Sequence, residues 1–333
     1  MSEAYCGNDS VQDAIHKMFS GSIPERENEI NELWSNFQIN FQIHADKNSE
    51  GKYIFDAGLF RFIRFNHRVL RVFWIGAFSA ISGYTAIIED KNNKVEEFIK
   101  SRDEIFNNYS SELISLQSMQ LSLEVMVNNF ISNTEDIATA DFSNFYNLID
   151  CFENSAKDDF SDEKPFPAGV PEPGVFPDVG TDPINRGTAE IAVISTAWAF
   201  LHEVRHIIHQ QDGTSYCPHN FTQKQAHTEE LSCDEFATKF IIDKMNDYCN
   251  KSGDDALLVS RKRKLAIYCA LFSLALLTKD NWDASDTHPS LKERMDKVND
   301  LLKHPKDEAL EAIVTCMFAA LKNIWPLVPC IEF

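Results

Sequence analysis

The chain has 333 residues, of which 51 are acidic and 31 are lysine or arginine, so its formal net charge is −20. A surface this acidic repels phosphate backbones and anionic membranes, and the composition therefore argues against nucleic acid as a partner. The hydrophobic share of 44% and the 25 phenylalanines allow a large core. The length suggests two or three domains, or one catalytic domain with a large N-terminal elaboration.

The cysteines and the first residues indicate a reducing compartment. Eight cysteines are scattered without a C-x-x-C pair, as is typical of reduced and mostly buried thiols. The start of the sequence is polar and acidic, unlike a signal peptide. We therefore expect a cytoplasmic protein.

The N-terminal part has the patterns of mixed structure. Residues 1–20 look like a loosely held lead-in, residues 25–40 carry a helix-like charge pattern, and apolar residues alternate from 37 to 43 as in a strand. Residues 46–51 have the composition of a turn. The alternation in residues 52–66 is partial, so a strand and a helix are not separated there.

A long apolar stretch follows at residues 72–88, which carry no charge. Its length is at the lower limit for a membrane span, and Gly76 and Gly83 dilute it. We interpret it as a buried core helix and keep membrane association as an alternative. Residues 91–109 and 111–131 have helical periodicity. One apolar stripe on the second of these is expected to be core: Leu113, Leu116, Met119, Leu123 and Met126.

The composition changes sharply in residues 158–187. Six prolines and four glycines exclude a long helix or a central strand there. One interpretation is a linker between an N-terminal region and a catalytic part. The other is a loop near the active-site cleft, because long irregular segments inside compact domains often serve as lids.

His202-Glu203-x-x-His206 is the most specific motif. Residues four apart on a helix lie one turn up and only about 40° around, so both imidazoles can grip one ion. Glu203 lies about 100° to the side of His202, where it reaches a water on the metal rather than the metal itself. The uninterrupted apolar run 191–201 predicts a helix buried on most sides, extending over about 188–211 and ending at an Asp-Gly pair.

The alternative to a metal site is a pair of satisfied core histidines. With 10 histidines in 333 residues, chance supplies roughly 0.02 such motifs. Burying two histidines and a glutamate in an apolar helix is costly unless they are paired or bound to metal. We therefore expect a catalytic zinc site, in which a third protein ligand completes the set and one coordination position stays open.

A second helix, predicted from about 222 to 248, starts with a T-x-x-Q capping box. Glu230 and Asp234 share one of its faces. We assign Glu230 as the third zinc ligand and Asp234 as the acceptor for the second ring N–H of a ligating histidine. Glu229 is a neighbouring competitor about 100° from Glu230. A solvated acidic helix face is the alternative to both roles.

Geometry argues against other ligands. His209 stands about 10 Å along the axis from His202, too far to share one ion on an unbroken helix. The metzincin pattern H-E-x-x-H-x-x-G-x-x-H fails, because His209 occupies its glycine position and Asp212 its third-ligand position. Three further residues are expected in loops or on the surface: Cys217, His219 and His227.

The C-terminal part contains one more candidate. Residues 265–278 are too few to span a bilayer and indicate a buried helix. Thr287 begins another helix, with Pro289 near its first turn. His288 at this start is either structural or a hydrogen-bond donor to the oxyanion that develops during peptide hydrolysis.

Three motifs follow one another in the chain: His202-Glu203-x-x-His206, Glu230-x-x-x-Asp234-x-x-Ala237 and His288-Pro289-x-x-x-x-Arg294. This order resembles gluzincin metallopeptidases of the HtpX and prenyl-protein-protease type. The sequence of the first motif, together with the acidic composition and the large N-terminal region, most resembles the Lit-type phage-exclusion peptidases. The resemblance covers about residues 188–303. Unlike HtpX-type enzymes, the chain shows no convincing multi-span membrane anchor.

Pattern and resemblance together predict a mainly α (α+β) fold with a zincin-like metallopeptidase core built on the HExxH and ExxxD helices. The predicted division is a mixed, mostly helical N-terminal region over 1–157, the linker or active-site loop over 158–187, and a helical zinc metallopeptidase domain over 188–333.

The resemblance further implies a cytoplasmic zinc endopeptidase of bacterial abortive infection. Its members cleave elongation factor Tu once a phage signal is present, so a phage-derived peptide or protein is the expected activator. By the resemblance, His202, His206 and Glu230 bind Zn²⁺ and Glu203 is the base. Because an ungated enzyme would kill its host, we expect the Pro-rich segment or the N-terminal region to gate the site.

Two rival functions remain. One is a non-catalytic zinc-binding regulatory or scaffold protein, although a purely structural site has no use for a base at Glu203. The other is a membrane-associated, HtpX-like quality-control peptidase that uses residues 72–88 and 265–278. In the favoured mechanism zinc lowers the pKa of water towards about 7, and Glu203 passes the water proton to the leaving amine.

Overall fold

The computed structural model describes residues 8–44, 55–58, 62–108, 139–156, 165–217 and 219–333. Within these ranges the chain is mainly helical with one small sheet, so the predicted mainly α class is confirmed. The predicted helix over 111–131, with its apolar stripe, and the predicted turn over 46–51 lie outside the described residues.

The described helices and strands, with their bounds, are α1 Asn8–Ser22, α2 Glu27–Phe37, β1 Phe41–His44, β2 Phe55–Gly58, β3 Phe62–Asn66, α3 His67–Asn108, α4 Ser143–Ala156, α5 Pro183–Asp212, α6 Gln223–Ile242, α7 Met245–Ser252, α8 Ala256–Leu277, α9 Leu291–Leu302 and α10 Glu308–Ile324. The order in the sheet is β1-β3-β2, with β1 parallel and β2 antiparallel to β3. The ambiguous stretch over 52–66 therefore contains two strands, and β2 is an edge strand among those described.

The N-terminus corrects the expectation of a loose lead-in. Most of it is helix α1, which packs against α5 and buries Ile15 and Phe19. These two residues are one helical turn apart, and Phe19 contacts the ring of Phe200 edge-on at 5.3 Å between centroids. The strand predicted over 37–43 begins only at Phe41, because the preceding residues form the end of α2 and a 3-10 turn.

Helices α3 and α5 form the centre of the core, as the apolar stretches predict. By length and composition, His67–Lys94 and Pro183–Asp212 could each cross a membrane, but 67% and 83% of their apolar windows are buried inside the protein. The core helices of soluble proteins meet the same criteria. Gly83 shows how closely α3 packs, since a Cβ there would lie 2.7 Å from the Cβ of Ala320 on α10.

The described part of the Pro-rich segment, 165–182, lies against α3. The indole Nε1 of Trp74 donates to the carbonyl of Pro171 at 2.8 Å, and Arg71 stacks over the ring of Phe166. Helix α5 then starts at Pro183, within the predicted linker, because Asp182 caps it. One hydrophobic core joins residues from Ile15 to Ile331, and the predicted domain boundaries stay predictions.

Two C-terminal predictions need correction. The helix expected over 222–248 has its predicted capping box at Thr222 but ends at Ile242, and the short α7 follows. Helix α9 begins at Leu291, after Pro289, because Ser290 is its N-cap and forms a second capping box. The proline therefore precedes the helix instead of lying in its first turn.

Candidate functional site

The two motif histidines meet the predicted carboxylate. Helix α5 is unbroken through the motif, so His202 and His206 lie one turn apart with ring centroids at 5.0 Å. Helix α6 packs alongside and brings Glu230 between them. One Glu230 oxygen lies 3.3 Å from Nε2 of His202, and the other lies 3.2 Å from Nε2 of His206. The helix pair therefore brings the three sequence-predicted ligands together.

The second nitrogen of each ring is held by another carboxylate. Nδ1 of His202 lies 2.8 Å from Asp234, and Nδ1 of His206 lies 2.9 Å from Glu229. Burial raises the pKa of both carboxylates, but the hydrogen bonds to the histidines, and for Asp234 also the charge of Arg294, outweigh it and lower the pKa. An ionised carboxylate only accepts, so each Nδ1 is the donor and each Nε2 faces Glu230. This arrangement orients histidine ligands in metal sites.

Sequence reasoning missed the residue that holds Asp234. Arg294 on α9 donates from Nε and from an Nη to the two oxygens of Asp234, at 2.8 and 2.6 Å. Both side chains are buried. Burial opposes the charge on Arg294, but the Asp234 carboxylate outweighs it and raises the pKa of the guanidinium. The H-P-x-x-x-x-R motif contained this arginine, but no local signal paired it with α6.

Glu229 has a larger role in the cluster than the sequence analysis gave it, which treated it only as a competitor of Glu230. One of its oxygens accepts from Nδ1 of His206 and from the hydroxyl of Ser215, and the other accepts from the backbone N–H of Tyr216 at 2.8 Å. The angle of about 100° to Glu230 on the helix is what turns Glu229 towards the second histidine and the 213–217 loop. Glu229 thus links that loop to the motif helix.

Glu203 and His288 both line the cleft beside this cluster. Glu203 is half-buried, and among the described residues no hydrogen bond or ion pair engages its carboxylate. His288 lies at the rim with 59% of its side chain exposed, its Nε2 3.7 Å from Glu230 and its Nδ1 2.8 Å from the hydroxyl of Thr287. Desolvation lowers the pKa of His288.

The cleft has a volume of about 820 Å³ and draws on several parts of the chain. Helices α5, α6 and α8, the loop over 281–289 and strand β2 all contribute lining residues. No described residue of the Pro-rich segment is among them. Of the two expected gates, only the N-terminal region therefore reaches the cleft within the described ranges.

The electrostatics of the cluster favour a cation. Burial opposes a charged imidazole, but the hydrogen bond to Asp234 and the nearby Glu230 carboxylate outweigh it and raise the pKa of His202 to about 10. Burial also opposes a charge on His206, but Cys233, Glu229 and Glu230 outweigh it and raise its pKa. Burial raises the pKa of Glu230, but the two histidines outweigh it and hold that pKa well below its usual value. The buried Glu230 oxygen that lies 3.3 Å from Nε2 of His202 makes no hydrogen bond of normal geometry to any described residue. A divalent ion bound at the Nε2 atoms would satisfy that oxygen and replace the protons.

A fourth residue could take part. His202, His206 and Cys233 offer ligand atoms that all lie within 4.8 Å of one another, a cluster that could hold a metal ion. Cys233 is fully buried on α6. The sequence analysis counted it among the reduced, mostly buried thiols and gave it no ligand role, although it lies inside the E-x-x-x-D motif. The oxygens of Glu230 also face the two Nε2 atoms, whose rings are fixed through Nδ1.

Among the residues that the sequence analysis set aside as ligands, His227 corrects an expectation, because it lies half-buried on helix α6 and not in a loop or on the surface. His209 has both ring nitrogens bound to hydroxyls, those of Thr214 and Ser232. His227 binds the carbonyl of Ser285 through Nε2 at 2.8 Å. Cys217 and His219 are exposed.

Comparison with known proteins relates the chain to a peptidase family. No curated protein and no solved structure matches the chain. The family model of Peptidase U49 matches residues 109–314, a stretch that contains all three motifs and is more than half of the sequence. The expected relationship to a peptidase family is thereby confirmed, and it implies a hydrolase that acts on peptide bonds. The chain belongs to the Peptidase U49 family.

Proposed function

We propose that the protein is a zinc-dependent endopeptidase with a zincin-like core, in which His202, His206 and Glu230 hold the metal. The observation that carries the proposal is the pair of Nε2 atoms facing one buried carboxylate at 3.3 and 3.2 Å, with both Nδ1 atoms fixed behind them. Two imidazoles and one carboxylate are the protein ligands of many catalytic zinc sites, which keep a fourth position open.

The residues divide the chemistry among them. A bound zinc ion supplies Lewis acidity to the scissile carbonyl and to the attacking water. Glu203, half-buried and without a hydrogen-bond partner among the described residues, accepts the water proton and delivers it to the leaving amine. His288 at the rim donates a hydrogen bond to the developing oxyanion. Asp234, held by Arg294, keeps His202 in the tautomer that presents Nε2.

The test of the proposal compares two glutamates of the same helix. Glu203→Gln removes the base and keeps the shape of the side chain, so it should bind zinc normally and lose peptide hydrolysis. Glu190→Gln near the start of α5, away from the described cleft, is the matched control and should keep both properties. Proteins of a bacterial lysate cut by wild type and by the control, but not by Glu203→Gln, are identified by mass spectrometry. Full cleavage by Glu203→Gln would show that Glu203 is not the catalytic base.

The resemblance to Lit-type peptidases supports elongation factor Tu as the protein substrate, a phage-derived activator and a cytoplasmic location. Incubation of purified elongation factor Tu with wild type, with and without phage extract, tests the first two parts. We expect cleavage that depends on the extract. If only other proteins are cleaved, elongation factor Tu is not the substrate. Equal cleavage rates with and without phage extract would contradict gating of the active site. Separation of cells into soluble and membrane pools tests the location against the membrane-associated alternative.

A second candidate function rests on Cys233. If Cys233 joined the two histidines and Glu230, the metal would have four protein ligands and no open position, as in structural zinc sites. The protein would then be a zinc-stabilised regulatory or scaffold protein. Cys233→Ser separates the two, because the endopeptidase should retain zinc and activity in this variant. A closed four-ligand site would lose most of its affinity.

A further inference from the structure

A group of apolar side chains on the Pro-rich segment is exposed to solvent. The described residues expose ten large hydrophobic side chains, and four of these fall within residues 175–184. Three belong to one loop and are called the apolar loop patch here: Val175, Phe176 and Val179, which are 55%, 40% and 67% exposed. Single exposed hydrophobic residues are ordinary on a protein surface, whereas a cluster of them typically marks a contact with another molecule.

The apolar loop patch is held in a defined conformation. The backbone N–H of Val175 donates to the carbonyl of Glu172 at 2.9 Å and closes a tight turn. The ring of Phe176 packs edge-on against that of Trp74 on α3, with 6.2 Å between centroids. The guanidinium of Arg186 on α5 lies 5.0 Å from the centroid of the same phenylalanine ring. Because these contacts already order the loop, a partner that packs on it costs the loop little conformational entropy.

The apolar loop patch lies away from the cleft. No residue of the patch is among those that line the cleft. Arg186, which packs on the patch, precedes His202 by 16 positions on α5, so the two residues are about 24 Å apart along the helix axis. The patch is therefore a separate surface, which the proposed peptide hydrolysis does not use.

The charge around the apolar loop patch is negative. Residues 165–185 contain three carboxylates and no lysine or arginine. Two of these carboxylates belong to the exposed residues Glu172 and Asp178, although Glu172 also lies 3.6 Å from Arg71. Arg186, whose guanidinium packs on the patch, is already bound to a glutamate on its own helix at 2.7 Å. The loop therefore presents apolar side chains in a negative field, which attracts a cationic partner.

We infer that the apolar loop patch is a docking surface for a protein partner that presents large apolar side chains flanked by lysine or arginine. The basic side chains complement the loop carboxylates, and the apolar side chains gain from leaving water on the patch. A second copy of this chain carries the same negative loop and a formal net charge of −20, so two copies repel each other. An anionic membrane surface is repelled in the same way. The docking does not rest on the peptidase function.

The first experiment measures peptide binding by fluorescence anisotropy. The full-length protein carries Glu203→Gln throughout, so that no peptide is cleaved. The main labelled peptide has a Leu-Phe-Val-Leu core between pairs of lysines. One comparison peptide has the same core between pairs of glutamates, and another has the lysines around a core of serine and glycine. The main peptide should bind at least about 10-fold more tightly than either comparison peptide.

Variants of the loop locate the binding. Val175→Ser combined with Val179→Ser should lower the affinity for the main peptide to that of the peptide without an apolar core. Ile39→Ser is the matched control, because this residue is exposed but lies outside the patch, and it should leave the affinity unchanged. Equal binding of the three peptides, no binding of the main peptide, or an affinity that the double variant does not change would each overturn the inference.

The loop carboxylates are tested separately. Glu172→Gln combined with Asp178→Asn removes two charges and keeps the oxygen that accepts from the backbone N–H of Gly180. This variant should bind the main peptide about 3- to 10-fold more weakly at low salt and show less salt dependence than the parent protein. An unchanged affinity with the same salt dependence would contradict the basic character of the partner.

Two further measurements test the other occupants of the patch. Sedimentation velocity should show no self-association that the serine double variant abolishes, and vesicles of phosphatidylcholine should not bind the protein through the patch. Patch-dependent self-association would overturn the inference in favour of a second copy, and patch-dependent vesicle binding would overturn it in favour of a membrane. None of these readouts involves cleavage, so failure of the docking surface leaves the peptidase standing, and failure of the peptidase leaves the docking surface standing.

Discussion

Replacement of Asp234 by asparagine tests the buried charge arrangement behind the cluster. The Asp234 side chain is fully buried and makes three close contacts, one with Nδ1 of His202 and two with Arg294. The asparagine is nearly the same size, so no cavity forms. It removes the charge that compensates the buried guanidinium of Arg294, and its amide nitrogen cannot accept a hydrogen bond.

Breaking a buried ion pair by removing one partner costs about 3–5 kcal/mol, because the other charge stays buried without compensation. We therefore expect Asp234→Asn to lower the free energy of unfolding by about that amount. The assay is urea unfolding of the full-length protein in the presence of a chelator, so that metal binding does not contribute. Replacing Arg294 by methionine in the same chain should recover part of the loss, since the unpaired charge is then gone.

Asp300→Asn on α9 is the matched control. Its carboxylate lies 2.8 Å from Lys303 but is exposed, so its loss should leave the free energy of unfolding unchanged. A loss below about 1 kcal/mol in Asp234→Asn would refute the reasoning, because it would place the Asp234–Arg294 pair in a well-solvated environment. A similar loss in the control would show that the assay reports general charge effects.

Two further predictions follow from other contacts. Glu229→Gln should weaken zinc affinity about 10- to 100-fold in a chelator competition assay, because the second ring nitrogen of its histidine loses an ionised acceptor. Glu235→Gln on the same helix is the control, and equal affinities of the two variants would contradict the positioning role. Gly83→Val should lower stability by about 1–3 kcal/mol through overpacking, as the new Cβ meets that of Ala320 at 2.7 Å. Gly187→Ala on α5, with open space around it, should cost nothing, so a comparable loss there would refute the packing argument.

The helical spacing of the motifs was sufficient to predict much of the site geometry. Spacing on α5 predicted that the two histidines share a face, and spacing on α6 predicted that Glu230 and Asp234 do. The structure brings all four together because two long helices with capping signals pack side by side. Their roles stay predictions, but the juxtaposition did not require knowledge of the tertiary structure beyond one helix–helix contact.

The parts that sequence reasoning missed depend on contacts between distant segments. Arg294 binds a residue 60 positions earlier, and Glu229 binds a loop whose backbone N–H carries no sequence signal. Strand β2 lines the cleft only because the sheet folds against α5. Helix α1 was overlooked because its buried stripe is short. Local periodicity carries no information about which surfaces meet, so these features follow only from the folded chain.

X-ray absorption at the zinc edge of the zinc-loaded, full-length protein tests the central claim most directly. Two imidazole nitrogens and one carboxylate oxygen at about 2.0–2.2 Å, without sulfur, are expected if His202, His206 and Glu230 hold the ion. The spectrum of Cys233→Ser should then be the same. A sulfur ligand at about 2.3 Å that disappears in Cys233→Ser would contradict the proposed ligand set. If the wild-type spectrum showed this sulfur as a fourth protein ligand, with no coordination position left open, it would also contradict the endopeptidase function.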